Sequence, residues 1–128
     1  MEKVEVGRIG EEEAIGFLRK KGYDIIAHNY RNKFGEIDII ALDRETVVFV
    51  EVRTKKTGDF GTPEESVTKA KMRQIVKVAS DYVRRKQLQE ESIRFDFIGV
   101  VAGSGTEKSV ITHIEDAFQP GDVTRTTL

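Results

Sequence analysis

The sequence predicts an α/β fold: a mixed central sheet flanked by helices, in the order α-β-β-β-α-β-β. Three observations lead there. Two segments repeat apolar residues at helical spacing, and five short runs are rich in β-branched and aromatic residues. Those runs fall as a block of three before the second helical segment and a block of two after it, a pattern that gives a mixed sheet with helices packed on it.

Residues 7–22 read as the first helix, because Glu11, Ala14, Ile15 and Leu18 lie at i, i+3, i+4 and i+7 and Gly22 supplies a C-terminal stop. Residues 1–6 read as frayed. Residues 24–30 (DIIAHNY), 35–42 (GEIDIIAL) and 46–54 (TVVFVEVRT) read as strands joined by connections short enough for antiparallel hairpins. The third is valine-rich and almost unbroken in apolarity up to Glu51, which predicts a central strand covered on both faces. Residues 55–62 form a polar loop. Thr62, with Pro63 and Glu65 after it, and Thr68 compete as the N-cap of the second helix. Its body is marked by Met72, Ile75, Val76, Ala79, Tyr82 and Val83, and it runs to about Leu88. Residues 94–102 and 110–114 are the last two strands, and residues 122–128 carry no pattern.

With 128 residues, the chain is the size of one domain, expected to span 1–120 with a disordered tail over 121–128. The absence of cysteine excludes disulfides and thiolate metal sites. No run of ~18 apolar residues is available to span a membrane, and the N-terminus lacks the apolar stretch of a secretory signal, so a cytoplasmic protein with no membrane partner is expected. Twenty-one basic against 22 acidic residues give a net charge of −1, which excludes a protein that coats nucleic acid through bulk charge. It does not exclude a metal-dependent nuclease, whose carboxylates offset basic residues elsewhere in the count.

The informative residues are charges in apolar runs. Strand alternation puts Phe49, Glu51 and Arg53 on one face. An unpaired buried charge costs several kcal/mol, roughly, so an ion pair, a metal or exposure at the strand end must offset it. Asp38 interrupts GEIDIIAL in the same way. Folding the hairpin about residue 44 sets Ile37 opposite Glu51 and leaves Asp38 one residue from it. Two carboxylates so placed repel unless a divalent cation lies between them. Glu11, on the apolar stripe of the first helix, adds a third. Oxygen ligands with no histidine or cysteine near them in sequence suit Mg²⁺ or Mn²⁺, ions that activate water and neutralise phosphodiester charge. Arg53 and Lys71 are the candidate cations beside them. Each residue also has an ordinary reading. Glu-x-Arg alone means little in a chain that is 34% charged, and Glu11 suits the first turn of any helix.

Asp38 followed by Glu51-Val52-Arg53 on consecutive hairpin strands resembles the PD-(D/E)xK nuclease motif. The segments GRIGEEEA (7–14), LRKKGYDIIAHNYRNKFGEIDIIALD (18–43), VVFVEVRT (47–54), VTKAKMRQI (67–75), RFDFIGV (94–100) and ITHIEDAF (111–118) together resemble one family of that superfamily, the YraN-like bacterial proteins. The resemblance implies the restriction-endonuclease-like fold, shared with archaeal Holliday junction resolvases. It implies metal ligation by Glu11, Asp38 and Glu51, and a place near the phosphate for Lys71 and Gln74. The expected activity is hydrolysis of DNA phosphodiester bonds, on branched or damaged DNA by analogy, with a homodimer for two-strand cleavage. This sequence departs from the superfamily at Arg53, where the pattern has lysine. Arginine stays protonated and cannot act as a general base, although it can stabilise charge. Either the site tolerates arginine, Lys71 substitutes for the lysine, or the chain binds nucleic acid without cutting it. His28 and His113 are expected at the core or its rim. Lys55, Lys56 and Phe60 are read as solvated or core-covering before any contact with nucleic acid.

Overall fold

The computed structural model describes residues 3–55, 66–103 and 106–124. Its elements are α1 (Lys3–Lys20), β1 (Asp24–Asn32), β2 (Gly35–Asp43), β3 (Thr46–Lys55), α2 (Lys69–Arg85), β4 (Ser92–Val101), β5 (Val110–Ile114) and a short α3 (Pro120–Thr124). The sheet runs in the order β1-β2-β3-β4-β5. The β1/β2, β2/β3 and β4/β5 pairs are antiparallel, and β3/β4 is parallel across the connection that contains α2. The mixed sheet flanked by helices is the architecture that the sequence predicts, with β3 at its centre and buried along most of its length.

Both long helices end in the same way. Tyr23 N–H reaches back to Leu18 O and Gly22 N–H to Arg19 O, with Gly22 at φ 94. Leu88 N–H reaches Val83 O and Gln87 N–H reaches Arg84 O, with Gln87 at φ 57. These are Schellman closures that satisfy the last carbonyls. Helix α2 therefore stops at Arg85, and Leu88 is the apolar residue of its closure rather than its last turn. Its N-cap is Thr68, whose Oγ1 accepts the Lys71 N–H at 3.1 Å. The competing entry at Thr62, like Lys56 and Phe60, lies outside the described residues. Helix α1 starts four residues before the expected boundary, since an internal glycine costs a helix only about 1 kcal/mol and does not stop it. Residues 120–124 form a helical turn rather than a patternless tail, held by the buried Val123.

The sheet separates two apolar cores. Ala14 and Leu18 of α1 pack on Ile39, Ala41, Val48, Val50, Ile98 and Val100. On the other face Ile75, Val78, Ala79 and Tyr82 of α2 pack on Ile37, Ile40, Val47, Phe49, Phe95 and Phe97. Helix α1 meets β3 closely where a Cβ added to Gly10 would collide with the Thr54 side chain. Its far end is tied by a buried polar network that composition does not announce. Asp96, 1% exposed, accepts from Arg94, from His113 Nε2 (2.8 Å) and from the Asp116 N–H (3.0 Å). Arg94 also donates to Tyr23 Oη (2.7 Å), and Lys21 Nζ to His113 Nδ1 (2.8 Å). Burial alone would raise the Asp96 carboxyl; bonds from His113, Arg94 and the Asp116 amide outweigh it and hold the group below its ordinary value. Among the described residues no helix is long and apolar enough to cross a membrane.

The Gly10 contact and the exposed Gly16 on the same helix make opposite predictions. Gly10→Ala should lower the unfolding free energy by roughly 1–3 kcal/mol through overpacking. Gly16→Ala, with nothing within 4 Å, should raise it by about 0.5–1 kcal/mol. Urea denaturation of both variants measures the two signs.

Candidate metal centre

The β2/β3 ladder runs from Asp43↔Thr46 to Ile39↔Val50 and stops. The tight turn at Arg44 (φ 57) sets this register, one residue away from a hairpin folded about residue 44. Continued by one step, it sets Asp38 opposite Glu51 rather than beside it. Asp38 does not pair through its backbone; its Oδ2 accepts the Val52 N–H at 2.8 Å.

Face alternation fails at the same place. Strand geometry puts residues i and i+2 on one face. Ile39 and Ala41 belong to the α1 core, yet Ile37 belongs to the α2 core with Ile40. On β1, Ala27 and Tyr30 share the α2 face although an odd step separates them. Asn29, which faces the gap in the β1/β2 ladder between His28↔Ile39 and Tyr30↔Ile37, has φ 51. Asparagine tolerates that left-handed conformation better than most residues. Both strands thus shift phase at Asn29 and Asp38, and Asp38 lies where the two faces of the sheet meet.

Three carboxyl groups use that position. Glu11 comes from α1 and Glu51 from the face of β3 covered by α2, and each lies close enough to Asp38 for the two carboxyls to perturb one another. Burial, then the charge and hydrogen bond of Asp38, push Glu51 up to about 8, against the pull of Lys71 and Arg53. Burial and then Asp38 likewise push Glu11 up to about 7, with Glu36 adding to the shift and a hydrogen bond from Asn29 opposing it. With its amide nitrogen turned to the carboxylates, Asn29 donates to Glu36 Oε1 (3.0 Å) and Glu11 Oε2 (3.1 Å). Glu51, 5% exposed, has Arg53 Nη2 at 3.2 Å and Lys71 Nζ at 3.9 Å from its Oε2. Lys71 Nζ also donates to Gln74 Oε1 (3.4 Å), and the Gln74 side chain lies over Gly35, where a Cβ would collide with it. Arg53 Nε is buried with no acceptor among the described residues, a state that costs about 1–3 kcal/mol.

The matches to known proteins fall on this region. Residues 10–100 match the model of a family described as uncharacterised protein family UPF0102, and that stretch contains Glu11, Asp38, Glu51, Arg53 and Lys71. The chain belongs to the UPF0102 family. It is 43% identical over 112 residues to a UPF0102 protein of Persephonella marina, covering 88% of this chain and 91% of that one. It is 42% identical over 118 residues to one of Caldicellulosiruptor saccharolyticus (92% of this chain, 100% of the relative) and 39% identical over 118 to one of Dictyoglomus turgidum, with the same coverage. Family membership is what the six YraN-like segments lead one to expect. The names of these relatives state no activity.

Glu11, Asp38, Glu51, Arg53 and Lys71, the residues singled out in the UPF0102 sequence, come together in one place. Among the described residues, no group of three histidine, aspartate or glutamate side chains is arranged to hold a metal ion as they stand. The carboxyls instead form two pairs that share Asp38. The donor chemistry nonetheless fits a hard divalent cation: the pairs contain oxygen donors only, and burial together with the Asp38 charge raises both glutamates, a penalty that a bound cation would relieve. Sequence reasoning misses Asn29, for which the left-handed preference of asparagine inside a strand-like run is the available signal. It also misses the Asp96 network. His28 lies exposed at the rim, whereas His113 is nearly buried against Asp96.

The raised carboxyls fix the pH dependence of stability. Glu51 and Glu11 bind protons more tightly folded than unfolded, where both have a value of 4.5. Their contribution is full below about 4.5 and is lost as pH rises to about 7–8. In chelator-treated protein the melting temperature should therefore fall between pH 5 and pH 8, by linkage. Asp38→Asn, which removes the shared charge but keeps an acceptor for the Val52 amide, should flatten that fall. Thermal melts of both proteins across that window make the comparison.

Proposed function

We propose that the chain is a metal-dependent endonuclease that hydrolyses DNA phosphodiester bonds, with Glu11, Asp38 and Glu51 holding Mg²⁺ or Mn²⁺. The observation that carries this reading is the sharing of Asp38 between carboxyls from opposite faces of the sheet, with two cations beside one of them. The likeness of Asp38 and Glu51-Val52-Arg53 to the PD-(D/E)xK motif supports it independently of the geometry.

A bound divalent cation would supply Lewis-acid chemistry, lowering the pKa of water and neutralising phosphate charge. The chain's own contributions follow from the side chains. Asp38 is held by the Val52 amide, so it is fixed in place before any ligand arrives. Glu51 is oriented by Arg53 and Lys71. Arg53 Nε is a buried donor with no acceptor among the described residues, suited to a phosphate oxygen. Its guanidinium stays charged and so stabilises the charge that develops on phosphorus-bound oxygens, without removing a proton. Lys71 is a compact donor within reach of the same region, steadied by Gln74. A single small domain covers little duplex, so cutting both strands would engage a homodimer. The analogy with junction resolvases favours branched DNA.

A second reading rests on Arg53. Where the superfamily motif has lysine, this chain has an arginine paired with Glu51, and on this reading the protein binds nucleic acid without cutting it.

One experiment separates the two. Labelled single strands, duplexes, flaps and four-way junctions are incubated with Mn²⁺ and wild type, Asp38→Asn, Arg53→Met or Arg53→Lys. The enzyme reading predicts cutting by wild type, none by Asp38→Asn, and a loss of about 10²–10³-fold in Arg53→Met, the usual effect of removing one charge-stabilising donor. Cutting by Arg53→Lys alone would favour the binding module. No cutting by any variant, with no Mn²⁺-induced rise in melting temperature, would remove the metal-site reading.

A further inference from the structure

A groove of about 480 Å³ lies between α1 and the edge strand β1, lined by Arg8, Glu11, Ile15, Arg19, His28 and Asn29, with Glu12 at its rim. It opens directly on the carboxyl cluster, because Glu11 is part of both. Its size falls within the ~300–1,000 Å³ of sites that hold one small ligand and is far too small for a duplex. Its charges are not all engaged. Arg8 pairs with Glu12 at 2.9 Å, but the Arg19 guanidinium has no ion-pair or hydrogen-bond partner among the described residues. His28 is exposed, and its Nδ1 lies 3.4 Å from the Asn29 side-chain amide. With the amide nitrogen directed at Glu11 and Glu36, the end facing His28 is the carbonyl oxygen, an acceptor for Nδ1–H. The imidazole ring is thereby held at the groove by a residue whose other end touches the carboxyl cluster. Ile15 adds a half-buried apolar surface.

We infer that this groove is a single-nucleotide subsite: one unpaired nucleotide, continuous with the strand at the carboxyl cluster, places its phosphate at Arg19 and its base against His28 and Ile15. The inference rests on the nuclease reading and deepens it, since it assigns the substrate class. A paired nucleotide would have to break its base pair to enter the groove, at a cost of a few kcal/mol, roughly, that an already unpaired one avoids, so the protein favours nucleic acid with an unpaired strand next to the site of cutting. A ring on which a base stacks and a free guanidinium that meets the backbone are the two elements that single-strand sites combine. Another groove, lined by Leu42, Arg44, Tyr82 and Lys86, lies at the opposite end of β3 from Glu51 and has no such continuity.

The test measures binding rather than turnover. Fluorescence anisotropy with Ca²⁺ present compares a blunt DNA duplex with the same duplex carrying a single-stranded overhang, for wild type, Arg19→Ala, His28→Ala and Lys86→Ala. Arg19 and His28 are exposed, so their removal leaves the fold intact, which circular dichroism verifies. The expected result is overhang binding weakened about 5-fold or more in Arg19→Ala and His28→Ala, with blunt-duplex binding and Lys86→Ala unchanged. Arg19→Ala should also reduce the salt slope of overhang binding by about 0.7. Wild-type binding that neither variant changes, or an equal loss in Lys86→Ala, would overturn the subsite while leaving the nuclease reading intact. Failure of wild type to bind any of the DNAs would overturn both.

Discussion

The hydrogen bond from the Val52 amide to Asp38 Oδ2 stands where a backbone pair between β2 and β3 would otherwise be. A buried amide must have an acceptor, and when the ladder stops one has to come from a side chain. Asp38 supplies it, and in doing so is held at the position where both strands change phase. Everything else at the centre follows from that placement. A regular strand would turn Asp38 to one face and leave Glu11 or Glu51 out of its reach. The phase shift, taken up by Asn29 in its left-handed conformation, lets one aspartate meet a glutamate from each side of the sheet.

The price of that meeting is electrostatic. Burial and the Asp38 charge penalise the ionised forms of Glu11 and Glu51, a cost that raises both carboxyls. The protein moderates it locally with Arg53 and Lys71 at Glu51 and with the Asn29 amide at Glu11. Rigidity comes from elsewhere. The Asp96 network binds the C-terminal end of α1 to β4 and β5, and the tight approach of Gly10 to Thr54 seats its middle, one residue before Glu11. A helix held at its C-terminal end and at Gly10 keeps Glu11 beside Asp38. The strain sits at the site and its compensation in the surrounding structure, which is where functional strain is commonly stored.

Most of the architecture is legible in the sequence because it depends on periodicity. The apolar stripe through Met72, Ile75, Val76, Ala79 and Tyr82 fixes the buried face of α2, and the valine run before Glu51 marks the central strand. The grouping of Glu11, Asp38 and Glu51 is legible because charges inside apolar runs need an explanation. The way they meet is not. GEIDIIAL reads as ordinary alternation, and nothing in its composition shows that Ile37 and Ile39 face opposite cores. The phase shift depends on one backbone dihedral at Asn29 and one side-chain cap at Val52, both of which need the neighbouring strand to be seen. The hairpin register is off by one for a similar reason: a turn at Arg44 with positive φ shifts the pairing, and arginine carries no signal for that conformation. Asp96 looks like an interruption in an apolar segment, and only tertiary contacts reveal that His113 and the Asp116 amide join Arg94 in satisfying it.

The proposed divalent-cation site around Asp38 requires the paired carboxyls to rearrange when the ion binds. Anomalous diffraction from crystals soaked in Mn²⁺ tests this most directly. The account predicts a manganese peak in contact with Asp38 and with at least one of Glu11 and Glu51, with the carboxyl–carboxyl hydrogen bonds broken. Crystals that diffract well, show no peak there and retain both carboxyl pairs around Asp38 would contradict it.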